Sequence, residues 1–515
     1  MKIAFWLFVL LFFLTNLLFL TRFPFVHSDE SWLSGLTRAM MEHHSLAVTE
    51  PFFNLKPRWP HAVKSLFHLF QMPLVALFGY RIFSVRLLSL LGGCAVLILF
   101  RSAVRRLTAG EAVPLFAVML LACDIQFIYA SHFARQEILI CVSVCACVCL
   151  FLRQDGMLPP KTVIALGVIT GLSIGLHPNS FLIACLCGSI FLTRILVYKT
   201  ASFRQLGLYT AITGGFAAAF VAASFAMDPD FIRHYLAYGD SEFDLLVPVT
   251  GKAAELGGFF QKLWYGVSGT YYLPDIRPQL LLFPLLLLCA LAYAAVMRRE
   301  DFVMSQRLAQ VVCAAAGILL GTVLIGRYNQ TGIVFLTPLC WMLFPFFCTM
   351  FGKIAGKAVF AAMAAVIVWS SVQNIRPWLS QSYETYLGQI GELVAPDAKV
   401  LGNLNSGFYF KNGCLLDYRN LSYLRENGLR FDDYIRENGV DYLLISDELA
   451  YIYSVRPKWN TIYGNTAGYY EQMQTFLQNQ CDEIGHFENP IYGVRIQELI
   501  GSGAQDTITI YRVKE

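Results

Sequence analysis

The 515-residue chain is 56% hydrophobic and only 14% charged, with a formal net charge of +4. Its apolar residues arrive in long uninterrupted runs, which mark a polytopic membrane protein rather than a soluble one. The small net charge, with Lys and Arg gathered in alternate loops, excludes a nucleic-acid-binding protein.

The first apolar run, Ile3 to Leu20, has one basic residue ahead of it and no small-residue cleavage site behind it, so it reads as a retained span. Crossing about 30 Å of hydrocarbon takes roughly 18 to 20 apolar residues. Applied along the chain, that length predicts about eleven spans, near 3–21, 82–100, 113–130, 137–152, 162–177, 180–197, 207–226, 279–297, 308–326, 332–351 and 357–373. Alternate loops carry Arg101, Arg105 and Arg106, then Arg153 and Lys161, then Arg194, Lys199 and Arg204, then Arg298, Arg299 and Arg307, then Lys353 and Lys357. The positive-inside rule makes these loops cytoplasmic. The opposite face then receives loops 22–81 and 227–278, the links at 131–136, 177–179 and 327–331, and the chain beyond 374.

In the first outer loop, Ser31 to Glu42 and Ala62 to Phe70 mix apolar and polar residues at helical spacing, which predicts short helices lying in the membrane interface. Asp124 falls inside the third span, where it is either a functional acid or a hydrogen-bond partner of a neighbouring helix. From about residue 380 the runs at 399–401, 440–445 and 507–512 predict strands, and Phe431 to Asn438 predicts a helix stopped by Gly439. The expected architecture is a polytopic α-helical membrane domain over 1–378 and an extracytoplasmic α/β domain over 379–515. Of the 14 cysteines, Cys141, Cys145, Cys147 and Cys149 read as small packing residues within a span rather than zinc ligands. Cys414 and Cys481 lie in the tail and could pair in an oxidising compartment.

The stretch His27-Ser28-Asp29-Glu30-Ser31 places two adjacent carboxylates where the first span leaves the bilayer. Acids there cap a following helix, or, partly desolvated, take on the raised pKa of a general base unless cations face them. The topology brings Asp29, Lys56, Arg135, Glu137, His177 and Arg327 to one membrane level, either as anchors of helix ends or as a site. A sugar carried on a polyprenyl phosphate would present its phosphate at that level. Its transfer to an acceptor hydroxyl needs a carboxylate for the proton and cations for the departing phosphate. Asp29 can serve as the base, and Lys56, Arg135 and Arg327, with Arg58 and Arg86, are the available cations.

Those residues also carry a resemblance. Asp29-Glu30, then Asn54-Leu55-Lys56-Pro57-Arg58-Trp59-Pro60, then Phe78-Gly79 with Phe83-Ser84-Val85-Arg86-Leu87-Leu88-Ser89, then Ala134-Arg135-Gln136-Glu137, then Arg327-Tyr328 with Pro338, occur in the order seen in bacterial GT-C membrane glycosyltransferases. The chain resembles that group, which includes protein O-mannosyltransferases and lipid A aminoarabinose transferases, across its whole membrane region. The resemblance implies an inverting hexosyl- or pentosyltransferase of the bacterial inner membrane, with its active site facing the periplasm. It would move a single sugar from a polyprenyl-phosphate donor to a hydroxyl on a lipid, glycan or protein. Asp29 maps onto the catalytic acid or base and Glu30 onto the second acid of the pair. Lys56 maps onto the lysine associated with the donor phosphate, Arg135 and Glu137 onto the arginine and acid of the link between the third and fourth spans, and Arg327 and Tyr328 onto the late arginine-tyrosine pair; Arg58 and Arg86 are further candidate cations for that phosphate, and His177 is a supporting residue. The chain departs from the pattern at Arg58, where a second proline is usual, and at His177-Pro178-Asn179, where many members have a lysine. No cofactor is required on this reading. A divalent ion on Asp29, Glu30 and Glu137 with His27, His61 or His177 stays open. The rival readings are a transporter or flippase, for which midplane charges and internal repeats are expected and not evident, and a ligase that moves whole lipid-linked glycans.

Overall fold

The computed structural model describes every residue except 244–247, 298–300, 327, 457–462, 504 and 515, and every side chain except, in addition, 239–243, 297 and 350–355. Arg298, Arg299 and Arg327 thus lie outside the described residues. Eight helical segments are long and apolar enough to cross a membrane: Lys2–Phe19, Ile82–Val104, Pro178–Leu196, Phe203–Met227, Arg277–Val296, Phe302–Ile325, Gln330–Thr349 and Gly356–Gly391. A ninth is broken, Ala112–Ala122 meeting Ile125–His132 at 64°. Asp124 accounts for the break. One carboxylate oxygen accepts the Gln126 amide at 2.9 Å as the cap of the second half. The other accepts Trp341 Nε1 at 2.9 Å from a neighbouring helix, so this acid is structural. The two remaining expected spans fall on Glu137–Leu152 and Pro160–Ser173, apolar but only 16 and 14 residues long. Length and composition therefore support up to nine crossings among the described residues, against about eleven expected from the sequence.

The end of the bundle is a hairpin. The rings of Phe344 and Phe360, both within Phe344–Ile375, lie 6.1 Å apart, where a straight helix would separate them by roughly 24 Å. The chain therefore reverses between them. Elsewhere helices approach closely on small residues. A Cβ on Gly317 would stand 2.7 Å from the Cys185 carbonyl oxygen, so helix Phe302–Ile325 lies directly on helix Phe181–Leu196. Cys141, Cys145, Cys147 and Cys149 are buried free thiols inside this packing.

Loop contacts sort the two ends of the bundle. Arg307 pairs with Asp155 at 2.7 Å and donates to the Arg106 carbonyl at 2.6 Å. Arg194 donates to the carbonyls of Gln154 and Gly156 at 2.8 and 2.5 Å. The basic loops near 106, 155, 194 and 307 thus meet at one end. At the other end, helices Ser28–Glu42 and Ser65–Phe78 form where the sequence predicts them.

Beyond Trp378 the chain builds a five-stranded sheet: β1 (Val400–Gly402), β2 (Leu415–Asp417), β3 (Tyr442–Ser446), β4 (Cys481–Glu488) and β5 (Thr507–Val513), in the order β2-β1-β3-β5-β4. The first three strands are parallel, and β5 runs antiparallel to both β3 and β4. Helix Phe431–Glu437 ends before Gly439, which takes the left-handed conformation at φ +57. Cys414 and Cys481, the two tail cysteines that could have paired, stand apart. Cys414 lies just ahead of β2 and Cys481 opens β4, on opposite edges of the sheet, and both thiols are free. The sheet packs on loop 22–81: Phe23, Phe52, Tyr383, Phe408, Leu444 and Ile510 share one core.

Candidate active site

Asp29 and Glu30 occupy the first turn of helix Ser28–Glu42, and the turn sends them in opposite directions. His27 is the cap. Its Nδ1 accepts the Asp29 amide at 3.1 Å while Glu30 Oε2 accepts the His27 amide at 3.1 Å, a reciprocal capping box. With Nδ1 accepting, the ring proton sits on Nε2, 2.8 Å from Thr270 Oγ1. The imidazole also stacks on Tyr271, centroids 4.4 Å apart.

Asp29 turns toward that same tyrosine. Its Oδ2 accepts the Tyr271 hydroxyl at 2.5 Å and faces Arg135 Nη1 at 3.1 Å. Burial pushes the Asp29 pKa up, but His27, Arg135, the Tyr271 hydroxyl and Arg419 outweigh it and hold it at about 2. Burial in turn lowers His27 to about 3. His27 is therefore neutral near pH 7, and there the arginines and the tyrosine hold the carboxylate. The sequence-based expectation allowed for this case, since cations do face Asp29.

Arg135 follows the bent span and bridges two acids, with Nη2 3.3 Å from Glu137 Oε1. Glu137 Oε1 also accepts Thr331 Oγ1 at 3.0 Å, while its Oε2 is buried without a partner among the described residues. Lys56 and Arg58 stand nearby in the first loop. Lys56 Nζ and Arg58 Cζ are each 5.1 Å from the Trp32 ring centre. Arg58 grips Glu50 through two bonds of 3.0 and 2.6 Å, and Trp32 Nε1 donates to the same carboxylate at 2.7 Å.

A cavity of about 450 Å³ opens between Arg58, Lys64, His177, Tyr238 and the apolar pair Leu324 and Ile325. His177 and Asn179 also line a smaller cavity of about 50 Å³ that reaches Arg135 and Glu137. His177 thus stands where the two meet, its Nδ1 accepting the Asn179 amide at 3.0 Å.

Two expected site residues are placed elsewhere. Arg86 and Glu30 are both wholly buried and paired, Nε to Oε1 at 2.8 Å and Nη2 to Oε2 at 2.7 Å. Arg86 spends its other N–H groups on the carbonyls of Leu20, Phe23, Pro24 and Phe25, and Glu30 also accepts the Ala134 amide at 2.9 Å. Arg86 has no donor left for a phosphate, and Glu30 no lone pair facing the cavity. This pair ties the first loop to two spans instead. The Tyr328 hydroxyl donates to the Lys252 carbonyl at 2.5 Å. Arg327, its expected partner, lies outside the described residues. Among the described residues no three His, Cys, Asp or Glu side chains converge as metal ligands. Glu30 is turned onto Arg86, and both His27 ring nitrogens are engaged.

Sequence reasoning passed over Tyr271, Thr270, Trp32, Glu50 and Arg419. Tyr271 meets Asp29 across 242 positions of chain, and no local spacing signals such a contact.

No family model and no curated protein matches the sequence. By shape, the chain superposes on the archaeal oligosaccharyltransferase AglB from Archaeoglobus fulgidus, in complex with an inhibitory peptide and a dolichol-phosphate, with a TM-score of 0.54 at 11% identity over 88% of this chain and 71% of that one. It also superposes on ArnT from Cupriavidus metallidurans bound to undecaprenyl phosphate, with a TM-score of 0.51 at 15% identity over 88% of this chain and 94% of that one. The many apolar helices, the sheet at the C-terminal end and these superpositions together show that the chain shares the fold of these two proteins.

Proposed function

We propose that this protein is an inverting glycosyltransferase that moves a single sugar from a polyprenyl-phosphate donor to a hydroxyl acceptor on the periplasmic face of a bacterial inner membrane. The observation that carries the reading is the position of Arg135, which holds the Asp29 carboxylate on one side and lines a cavity on the other. Whether the acceptor hydroxyl belongs to a lipid, a glycan or a protein, the chemistry is the same. Its oxygen attacks C1 of the sugar while its proton passes to Asp29, and the C1–O bond breaks with its electron pair leaving on the lipid phosphate. One displacement inverts the anomeric centre.

The charges around Asp29 suit that step. In the resting site the carboxylate is a weak base, because the Arg135 guanidinium lies against it. A donor phosphate that draws on Arg135 releases the carboxylate to a higher pKa as the acceptor arrives. Lys56 and Arg58 add charge for the leaving phosphate. The apolar wall at Leu324 and Ile325 suits a prenyl chain entering the larger cavity. Lys56→Ala is accordingly expected to weaken donor affinity as well as turnover, since the phosphate is charged both before and during transfer.

The superposition on an oligosaccharyltransferase favours a second reading, transfer of a whole glycan in one step. Mass spectrometry of envelope glycolipids and glycoproteins from cells carrying the wild-type or the Asp29→Asn gene separates the two. Loss of a one-sugar increment in the variant supports our reading. Loss of a multi-sugar increment supports the second, and identical profiles contradict both.

A further inference from the structure

Arg495 is a buried cation left without a counter-charge among the described residues. It is 1% exposed, and its Nε, Nη1 and Nη2 atoms are all shielded from water without a hydrogen-bond partner among those residues. The acid beside it, Glu448, is occupied by other groups. Its Oε2 accepts the Arg495 amide at 2.7 Å and the Tyr463 hydroxyl at 3.3 Å, and its Oε1 accepts the Ile496 amide at 2.8 Å. A guanidinium keeps its charge when buried, and a charge held out of water without a counter-ion is strongly destabilising.

The segment that carries Arg495 runs along the active-site turn. The Tyr492 hydroxyl accepts the Val26 amide at 2.9 Å, and the Gln497 amide donates to the Gly269 carbonyl at 2.9 Å. Val26 and Gly269 adjoin His27 and Thr270, which are themselves joined at 2.8 Å. The acids of that turn are taken, Glu30 by Arg86 and Asp29 by Arg135 and Tyr271. Tyr386, from helix Tyr383–Gly391, stacks on Tyr492 with ring centres 4.7 Å apart. The charge of Arg495 reaches His27, Tyr386 and Tyr492. Among the described residues the Tyr386 hydroxyl has no hydrogen-bond partner, and the Tyr492 hydroxyl, an acceptor for Val26, has no acceptor for its own proton. The place therefore gathers N–H and O–H donors and offers them no acceptor.

We infer that Arg495, Tyr386 and Tyr492 bind a small inorganic anion, of the size and charge of chloride, enclosed between the C-terminal domain and the His27 turn. One negative charge balances the guanidinium, and an ion with no protons of its own accepts from the donors that the chain leaves idle. Water would satisfy some of those donors but leave the charge uncompensated. The shielding of every guanidinium nitrogen favours a monatomic ion over an acidic group carried on a larger molecule. The ion ties the C-terminal domain to the turn that carries Asp29, and its presence does not depend on which sugar or acceptor the protein uses.

The test compares two salts. The full-length protein in detergent micelles is melted in potassium chloride and in potassium gluconate at equal ionic strength, gluconate having the same charge and too large a body for an enclosed site. The wild-type midpoint is expected to lie several degrees higher in chloride, because a ligand of the folded state raises stability by mass action. Arg495→Met, which keeps the length of the side chain and removes its charge, is expected to lose that difference. Bromide replaces chloride and scatters X-rays anomalously, so crystals grown in bromide are expected to show a peak beside the Arg495 guanidinium. That measurement decides the matter if the methionine variant does not fold. A wild-type midpoint equal in both salts, a methionine variant that keeps the wild-type difference, or bromide peaks none of which lies at Arg495 overturns the inference.

Discussion

The Glu30 carboxylate receives the Arg86 guanidinium through two bonds of 2.8 and 2.7 Å, with neither side chain exposed. The adjacent acid, Asp29, is part-exposed and faces Tyr271 and Arg135. One capped helical turn thus separates a structural acid from one that can meet substrate.

That separation makes Arg86 a stability residue. Arg86→Ala strands a buried carboxylate and the carbonyls of the first loop, and is expected to cost about 3–5 kcal/mol. Arg86→Lys is expected to recover little, because an ammonium cannot reproduce the planar fork. Denaturant titration of the purified variants measures both. An alanine variant as stable as wild type would show that the pair is not what holds the loop.

Arg135 sets the protonation of Asp29. Removing its charge with Arg135→Gln takes away a cation that favours the ionised carboxylate, so the Asp29 pKa rises. The acid limb of kcat/KM is expected to move to higher pH by roughly one unit or more. An acid limb that stays in place contradicts Asp29 as the titrating base.

Loop 22–81 is expected to be sensitive to acid. Burial lowers His27 to about 3, His61 to about 4 and His68 to about 3. Below the unfolded value near 6.5 the unfolded chain takes up protons that the folded one refuses, so stability is full above that pH and falls as the pH drops toward 4. Glu50 adds a separate loss lower down. Although burial raises it, Arg58 and Trp32 hold it at about 2, so its contribution is present above its unfolded value and disappears as the pH falls from about 4.5 to 2. Thermal melting between pH 7 and pH 5 is therefore expected to show a falling midpoint, with a shallower slope in His68→Gln. An identical slope in that variant contradicts the assignment of a buried neutral imidazole.

Much of this was legible in the sequence, and the failures share a cause. Hydropathy located the apolar helices because each announces itself within its own residues. It also marked Glu137–Leu152 and Pro160–Ser173, apolar helices of 16 and 14 residues that are shorter than the runs expected there, since composition does not show where a helix ends against neighbours. Asp29 stood out because an acid pair beside a span is locally anomalous. Glu30 and Arg86 carried the same local signal, and only their partnership, 56 positions apart, reveals that they satisfy each other. Strands β1, β3 and β5 alternate or run apolar and were expected. Strand β2 has three residues and β4 is mostly polar, so neither carries a pattern. Arg419 had no signal, because it meets Asp29 only through the fold.

Asp29 is the residue on which the proposed transfer turns. Its direct test is the rate of sugar transfer by well-folded Asp29→Asn protein, supplied with polyprenyl-phosphate sugars and the acceptor fraction of its own cell envelope. The amide keeps the shape and the Tyr271 contact but loses the basicity. Turnover is expected to fall on the order of a hundredfold or more while donor affinity stays near normal. Transfer at a near-normal rate by that variant would contradict Asp29 as the base and pass the role to Glu137.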